Sequence, residues 1–402
     1  MSGLTRLRAW SRKVMPVDVH GRRGGTRLAI GTLAVAGVLA VNARASSSEF
    51  RGPIPERLSD SAFWALSAEL SEPAGYFRSD NLVGNEVTMQ HPIPELLTTT
   101  PRGGVYLGVG PDQNFTYIVA MRPRIAFIVD IRRLNVMQHL FYKALFELSP
   151  TRADFLSRIF ARPRPAGLDT TTSIAAMIAA YAAIAPDSML YQRSLREMRD
   201  HLTKARTLPL TDEEFAGIEY VYTAFFGAGP DLTYNFGTGR GGWGGRRYMP
   251  SYGSLVMEAD ASGTPRGYLA TEDNYRFLKD LETRNLIVPV TGDFAGPHAL
   301  RAVGNWVRAH DATITAMYTS NVEQYLFQSD TNWRLFFENV ATFPTTAQST
   351  FIRAIFNMGY GFSSGTPGPR SVTLLCPIDR HVKQFRDGAL SSYYDVTGCP
   401  VK

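Results

Sequence analysis

The sequence predicts an α/β protein built on a mostly parallel sheet, and three observations carry that expectation. Short apolar runs alternate with amphipathic stretches from residue 267 to 326, with short links between them. A second unit of the same kind stands at residues 104 to 133, "GVYLGVGPDQNFTYIVAMRPRIAFIVDIRR", where an apolar run meets a Gly-x-Gly turn, a helix-like segment follows, and another run closes on an acid. At 402 residues, 44% hydrophobic and 19% charged, the chain can also bury a large core, within the range of one big or two ordinary domains.

The formal charge of +6 would suggest a polyanion partner, but the basic residues crowd the N-terminus: Arg6, Arg8, Arg12, Lys13, Arg22, Arg23 and Arg27. Beyond them the chain is nearly neutral, so no nucleic acid is expected as a partner. After this basic region comes "LAIGTLAVAGVLAV", Leu28 to Val41, then "NARASSS", in which Ala43 and Ala45 fit the small-x-small pattern of a signal peptidase site. The apolar run is shorter than the roughly 20 residues that span a bilayer. Residues 1–45 are therefore read as a signal peptide or an N-terminal membrane anchor, with a disordered tail on a cytoplasmic protein as the alternative. The expected location is exported, periplasmic or membrane-anchored, with membrane association through the N-terminus. Residues 46–402 form the expected folded domain.

Within it, "LSDSAFWALSAELSE" (Leu58 to Glu72) reads as an amphipathic helix capped by Ser59 or Asp60. Strand "VYLGV", the helix-like segment and strand "IAFIVD" follow, then the helix "NVMQHLFYKALFEL". Between about residues 150 and 210 the pattern is wholly helical, including the alanine-rich Thr170 to Ala185, and is read as an inserted helical subdomain. "GTGRGGWGGRR", Gly237 to Arg247, is too rich in glycine for regular structure and lacks the Gly-Lys-Ser/Thr ending of a Walker loop, leaving a surface loop or a lid. Helix "TEDNYRFLKDLETR", strand "NLIVPVTGD", helix "AGPHALRAVGNWVRAH", strand "ATITAMYTS" and helix "NVEQYLF" complete the alternation, and the tail from Asn332 mixes a helix with a strand, "SVTLLCPI". Cys376 and Cys399 are the two cysteines; a disulfide would suit an exported protein and free thiols a cytosolic one. No Cys-x-x-Cys or His-Glu-x-x-His spacing occurs, so no metal site is expected.

In an open parallel sheet, ligands sit at the carboxyl ends of the strands, where strand order reverses. Gly108 and Gly110 end the first strand, and Asp130, twenty residues after Gly110, stands where an acid can accept from ribose hydroxyls. The third position of a dinucleotide fingerprint holds Asn114 or Phe115 instead of glycine. Asp112 would repel a pyrophosphate but could hold an ammonium, which favours S-adenosylmethionine over NAD. Asn321 and Glu323, just past the "ATITAMYTS" strand, are catalytic candidates, as orienter and base, against the reading in which Ser320 or Asn321 only caps the next helix. Asp80, Asn81, Asn85 and Glu86 form a second polar cluster, and Asp80, Asn81, Glu86 and Tyr318 are candidates for substrate binding. His139 reads as a packed residue, and the Arg132-Arg133 pair as a carboxylate holder or a solvated helix start.

On "EPAGYFRSDNLVGNE", "YLGVGPDQNFTYIVAMRPRIAFIVDIRR", "NLIVPVTGDFAGPHALRAVG" and "YTSNVEQYLF", the sequence resembles a family of uncharacterised bacterial proteins, some with export or lipoprotein signals. Its core looks like a class I SAM-dependent methyltransferase, and the resemblance covers residues 60 to 360 approximately. It implies a Rossmann-like sheet, with Gly108 and Gly110 matching the first-strand turn, Asp130 the ribose acid, and Asp293 the acid that meets the adenine amino group. Tyr76 and Phe77, in "GYFRSDN", would cover the adenosine. The function so implied is that of a SAM-binding, methyltransferase-like protein acting on an unknown small-molecule or protein acceptor. The alternative is an exported or envelope-associated binding protein that uses the same scaffold without catalysis.

Overall fold

Hydrophobic runs of four to seven residues between turn signals become strands buried on both faces, which is what a parallel sheet covered by helices requires, while the last strand, Ser371–Pro377, is partly exposed. The computed structural model describes residues 52–234, 249–356 and 371–399. The basic and apolar N-terminal segment and the glycine-rich stretch 237–247 lie outside the described residues. Helix α1 (Asp60–Leu70) leads, its first turn closed by the Ser59 hydroxyl accepting from the Ala62 amide at 3.1 Å. The short α2 (Ile93–Thr99) precedes β1 (Val105–Gly108), α3 (Gln113–Met121) and β2 (Ile125–Asp130). Helix α4 (Arg133–Leu148) follows, then α5 (Arg152–Phe160), α6 (Ile174–Ala182), α7 (Ser188–Asp200) with a π turn at His201–Ala205, α8 (Asp212–Ala228) and α9 (Tyr252–Val256).

After that excursion α10 (Glu272–Thr283) returns the chain to β3 (Ile287–Thr291). Then come α11 (Ala299–Ala309), β4 (Ile314–Ser320), α12 (Val322–Leu326), α13 (Asn332–Val340), β5 (Thr350–Phe356), β6 (Ser371–Pro377), α14 (Ile378–Arg386) and α15 (Tyr393–Thr397). The stretch expected as a helical insertion holds α5, α6, α7 and the π turn. It belongs to a longer excursion between β2 and β3 that also takes in α8 and α9.

The six strands form one sheet in the order β3-β2-β1-β4-β5-β6. All pairs are parallel except β5 with β6, which runs antiparallel at the edge. The chain first winds outward from β1 to β3, then crosses back to continue from β4. Because parallel crossovers are right-handed, the helices of the two halves fall on opposite faces. Helices α3 and α4 pack beneath β1, β2 and β3, with α8 and α10 against α4; α11 covers β2 and α1 covers β3 on the other side. Strand order reverses between β1 and β4, so the crevice at their carboxyl ends is the switch point. A mostly parallel α/β sheet is thus observed, with one strand, β5, that the sequence reading leaves unassigned.

The β1–α3 turn explains why both unit and register are specified. A Cβ on Gly108 would lie 1.8 Å from Asn114 Oδ1. That space is used by the Asn114 amide, which donates to the carbonyls of Val109, Gly110 and Pro111 at 2.9, 3.3 and 2.8 Å and accepts from the Tyr106 hydroxyl at 3.0 Å. Gly110 supplies the left-handed φ of +78° that the turn requires. Behind it Phe115 meets Tyr142, Phe146 and Tyr268 edge-on at 5.2 to 5.5 Å between ring centroids, which anchors α3 to α4. Gly108→Ala should therefore expel the Asn114 amide and lower stability by about 1–3 kcal/mol, read as a fall in the urea midpoint. An unchanged midpoint would mean that the amide does not hold the turn.

Candidate functional site

The residues from Ser79 to Glu86 are irregular and, apart from the buried Leu82, Val83 and Gly84, polar, and they cross the carboxyl edge of the sheet strand by strand. Past the end of β2, Arg132 donates to the carbonyls of Ser79, at 3.4 Å, and Asp80. On α4, Gln138 donates to the Leu82 carbonyl at 2.7 Å. Gly84 lies so close to Gln113, at the start of α3, that a Cβ would overlap that side chain. At the end of β4, Glu86 accepts from the Tyr318 hydroxyl at 2.7 Å and from the Ser320 hydroxyl. The segment therefore lies across the switch-point crevice.

Glu86 is the chemically distinctive group there. It is wholly buried, its Oε2 has no hydrogen-bond partner, and burial pushes its carboxyl up to about 7 against the lowering effect of the two hydroxyls. The same burial, reinforced by the Glu86 charge, pushes the Tyr318 hydroxyl well above its ordinary value, so it stays a donor. Ser320, which ends β4, is held at a φ of +52°, a left-handed conformation that costs a non-glycine residue energy and directs its hydroxyl onto Glu86. Glu258, which accepts from the Thr88 amide at 3.2 Å, is raised to about 7 as well, by burial and in part by Glu86. A carboxyl poised near neutrality between two hydroxyls can take or release a proton at physiological pH.

Asp112 is a second such group, deeper in the fold. It is buried, accepts from the Tyr268 hydroxyl at 3.1 Å, leaves Oδ1 without a partner, and is raised to about 7 by desolvation. Placed so, its carboxyl is buried in the fold and does not face solvent. His139 Nε2 lies 2.9 Å from the Gly110 carbonyl, and burial lowers its pKa to about 4, so it is a neutral donor that packs the turn.

The remaining sequence-predicted residues divide by what already holds them. Both oxygens of Asp130 accept from the Arg132 guanidinium, at 2.9 and 2.7 Å, and Oδ1 also accepts the Arg132 amide at 2.9 Å. A ribose would have to displace that guanidinium. Of the arginine pair, Arg132 holds this acid and Arg133 pairs with Glu214. Asp293 Oδ1 accepts from the Ala295 amide at 2.9 Å, within its own turn. Beside it Glu72, a residue the sequence reading does not single out, accepts from the amides of Asp293, His298 and Ala299 and so occupies the N-terminal end of α11. Asp80 accepts from the Tyr220 hydroxyl at 2.5 Å, and Asn81 has a φ of +48° with a buried Oδ1 that has no partner. Tyr76 is 85% exposed, while Phe77 meets Tyr325 edge-on at 5.2 Å.

For the proposed catalytic pair the geometry assigns different work. Asn321 is the N-cap residue of α12, but its side chain caps nothing and donates to Gln324 at 3.3 Å. Glu323 is buried and held bidentately by Arg353 at 2.5 and 3.0 Å, so its lone pairs are engaged and the role of base does not suit it. The partner, Arg353, is an unforeseen residue in the middle of β5. A buried arginine inside an apolar run was the available signal for a buried acid elsewhere.

Among the described residues, those with soft-metal chemistry are Cys376, His381 and Cys399, all buried at the antiparallel edge of the sheet, and the two cysteines are joined as a disulfide. No described helix is long and apolar enough to cross a membrane. A family model described as a domain of unknown function (DUF7790) matches residues 82–218 and 243–373, which include Glu86, the Gly108–Gly110 turn and Tyr318. No curated protein matches the chain.

Two measurements test this electrostatic picture. With its folded pKa raised from 4.5 to about 7, Glu86 is tolerated best when protonated; its contribution is intact below pH 4.5 and is lost as pH rises through 7. Glu86→Gln should thus match the parent near pH 4.5 and exceed it by about 3 kcal/mol at pH 8, in paired urea titrations. Equal stabilities at both pH values would refute the raised pKa. Arg353→Met, which strands the Glu323 charge, should cost about 3–5 kcal/mol, and adding Glu323→Met should recover most of it. Two single variants whose losses simply add would show that the pair is not coupled.

Proposed function

We propose, for a chain that belongs to the family described as a domain of unknown function (DUF7790), that it is a SAM-binding, methyltransferase-like protein whose ligand enters the crevice between β1 and β4. The observation that carries this reading is the convergence at one switch point of the Gly108–Gly110 turn, the strained Ser320 and the buried, near-neutral Glu86. The choice of S-adenosylmethionine rests on the resemblance of the first-strand turn and of Asp130 to the methyltransferase pattern. A bound methyl donor would supply an electrophilic methyl group. Glu86, in place of Glu323, would take the proton of the acceptor on Oε2, with Tyr318 and Ser320 stabilising the carboxylate beforehand. The fit is partial: Oε2 of Glu86 and Oδ1 of Asp112 are buried without partners, whereas Asp130 is already matched by Arg132. Entry requires the segment Ser79–Asn85 to lift from the edge while Glu86 stays seated on Tyr318 and Ser320.

A second reading, an exported or envelope-associated binding protein without catalysis, is favoured by a specific pair of observations. The Cys376–Cys399 disulfide suits an oxidising compartment, and internal cations occupy the two acids expected to face cofactor and acceptor, Asp130 and Glu323. Calorimetric titration of the full chain with S-adenosylmethionine, S-adenosylhomocysteine and NAD separates the readings. Saturable binding of the first two and not the third is expected; no heat from any of them with folded protein would retire the cofactor assignment and leave the second reading.

A further inference from the structure

The antiparallel edge of the sheet holds a buried cluster whose disulfide the second reading takes as a sign of compartment and whose histidine neither reading uses. Cys376 lies on β6, opposite Phe351 of β5; His381 lies one turn along α14; Cys399 closes the chain back onto both from beyond α15. The three side chains each offer one ligand atom, and these atoms lie within 4.8 Å of one another. His381 Nδ1 is 3.1 Å from the Pro377 carbonyl, to which it can only donate, and this fixes the tautomer in which Nε2 carries the lone pair, here accepting from the Arg353 guanidinium at 3.3 Å. Nε2 stands 3.8 Å from Cys399 Sγ. A histidine locked by a backbone carbonyl through one nitrogen, with the other nitrogen beside sulfur, has the outer-shell support typical of metal-ligating imidazoles.

We propose that the reduced chain carries here a buried Cys2His site for a soft divalent cation of the zinc type, which the Cys376–Cys399 disulfide closes when oxidised. Charge accounting permits the cation. Arg353 lies 3.3 Å from His381 Nε2 and 3.9 Å from Cys399 Sγ, but its charge is already matched by Glu323. In the reduced chain the two buried sulfurs are thiols, and a dication bound by both sulfurs and the imidazole takes the place of their two protons without changing the net charge of the region. The Arg353 contact to Nε2 must give way as the metal binds. Opening the site is a two-electron step: a dithiol reductant breaks the S–S bond, supplies two electrons and two protons, and itself becomes a disulfide. Metal binding then releases the two thiol protons.

The test uses the full chain, folded, reduced with a phosphine that does not compete for the metal, and titrated with Co2+ as a spectroscopic stand-in for zinc. Expected are thiolate-to-metal charge-transfer and tetrahedral d–d bands that saturate at one equivalent, are bleached by zinc, and do not appear with oxidised chain. His381→Gln, with circular dichroism confirming the fold, should weaken Co2+ binding at least about tenfold. Either of two results overturns the proposal: two titratable thiols in folded protein with no cobalt bands, or bands of equal affinity in His381→Gln. A disulfide that stays intact in the folded chain under excess phosphine overturns it as well, because the site would then never open.

Discussion

The side-chain amide of Asn114 fixes the turn on which the carboxyl edge of the sheet is arranged. One amide meets three successive carbonyls and a tyrosine hydroxyl, in the space that Gly108 leaves by having no side chain. With the turn held, α3 starts where Phe115 enters the aromatic cluster and Gln113 meets Gly84. The segment Ser79–Glu86 can then lie across the ends of β2, β1 and β4. In a dinucleotide fold the corresponding turn keeps its amides free for a phosphate. Here a side chain organises the loop from within through its carbonyls, which is compatible with a ligand recognised by something other than a pyrophosphate.

The buried acids of this protein follow two regimes, and the division organises the edge. Asp130 and Glu323 are each met by an arginine through two hydrogen bonds, so their charge is matched inside the fold. Glu86, Asp112 and Glu258 have hydroxyl or amide donors, and desolvation raises all three to about 7. The first pair hold elements together: Asp130 and Arg132 tie β2 to the crossing segment, and Glu323 and Arg353 tie α12 to β5. The second group retain protonation equilibria near neutrality, and Glu86, on the crevice, is the member placed where strand order reverses.

Much of the fold was legible in local patterns. The "VYLGV" and "IAFIVD" runs with a helix between them are β1, α3 and β2; Ser59 caps α1 as expected; the "NLIVPVTGD" and "ATITAMYTS" runs are β3 and β4. "TFIRAIF" was not legible as a strand, because Arg353 interrupts its apolar character and the acid that neutralises it is thirty residues earlier. The candidate site was legible in part. Glu86 and Tyr318 were grouped by polarity and by position at a strand end, and the structure joins them by a hydrogen bond.

By itself the sequence determined the order of the strands other than β5, of the helices between them and the places where the chain turns, because these depend on hydrophobic period, glycine and capping residues within a few positions of one another. It also determined that acids would gather at strand ends. Only the tertiary structure decided which of them are matched by arginines and which are raised toward neutrality. A carboxyl group's state depends on partners and desolvation supplied by residues far away in the chain: Arg353 for Glu323, and Tyr318 and Ser320 for Glu86. The disulfide was decided in the same way, since only the antiparallel pairing of β6 with β5 and the return of α15 bring Cys376 and Cys399 to a Cα separation of 5.6 Å.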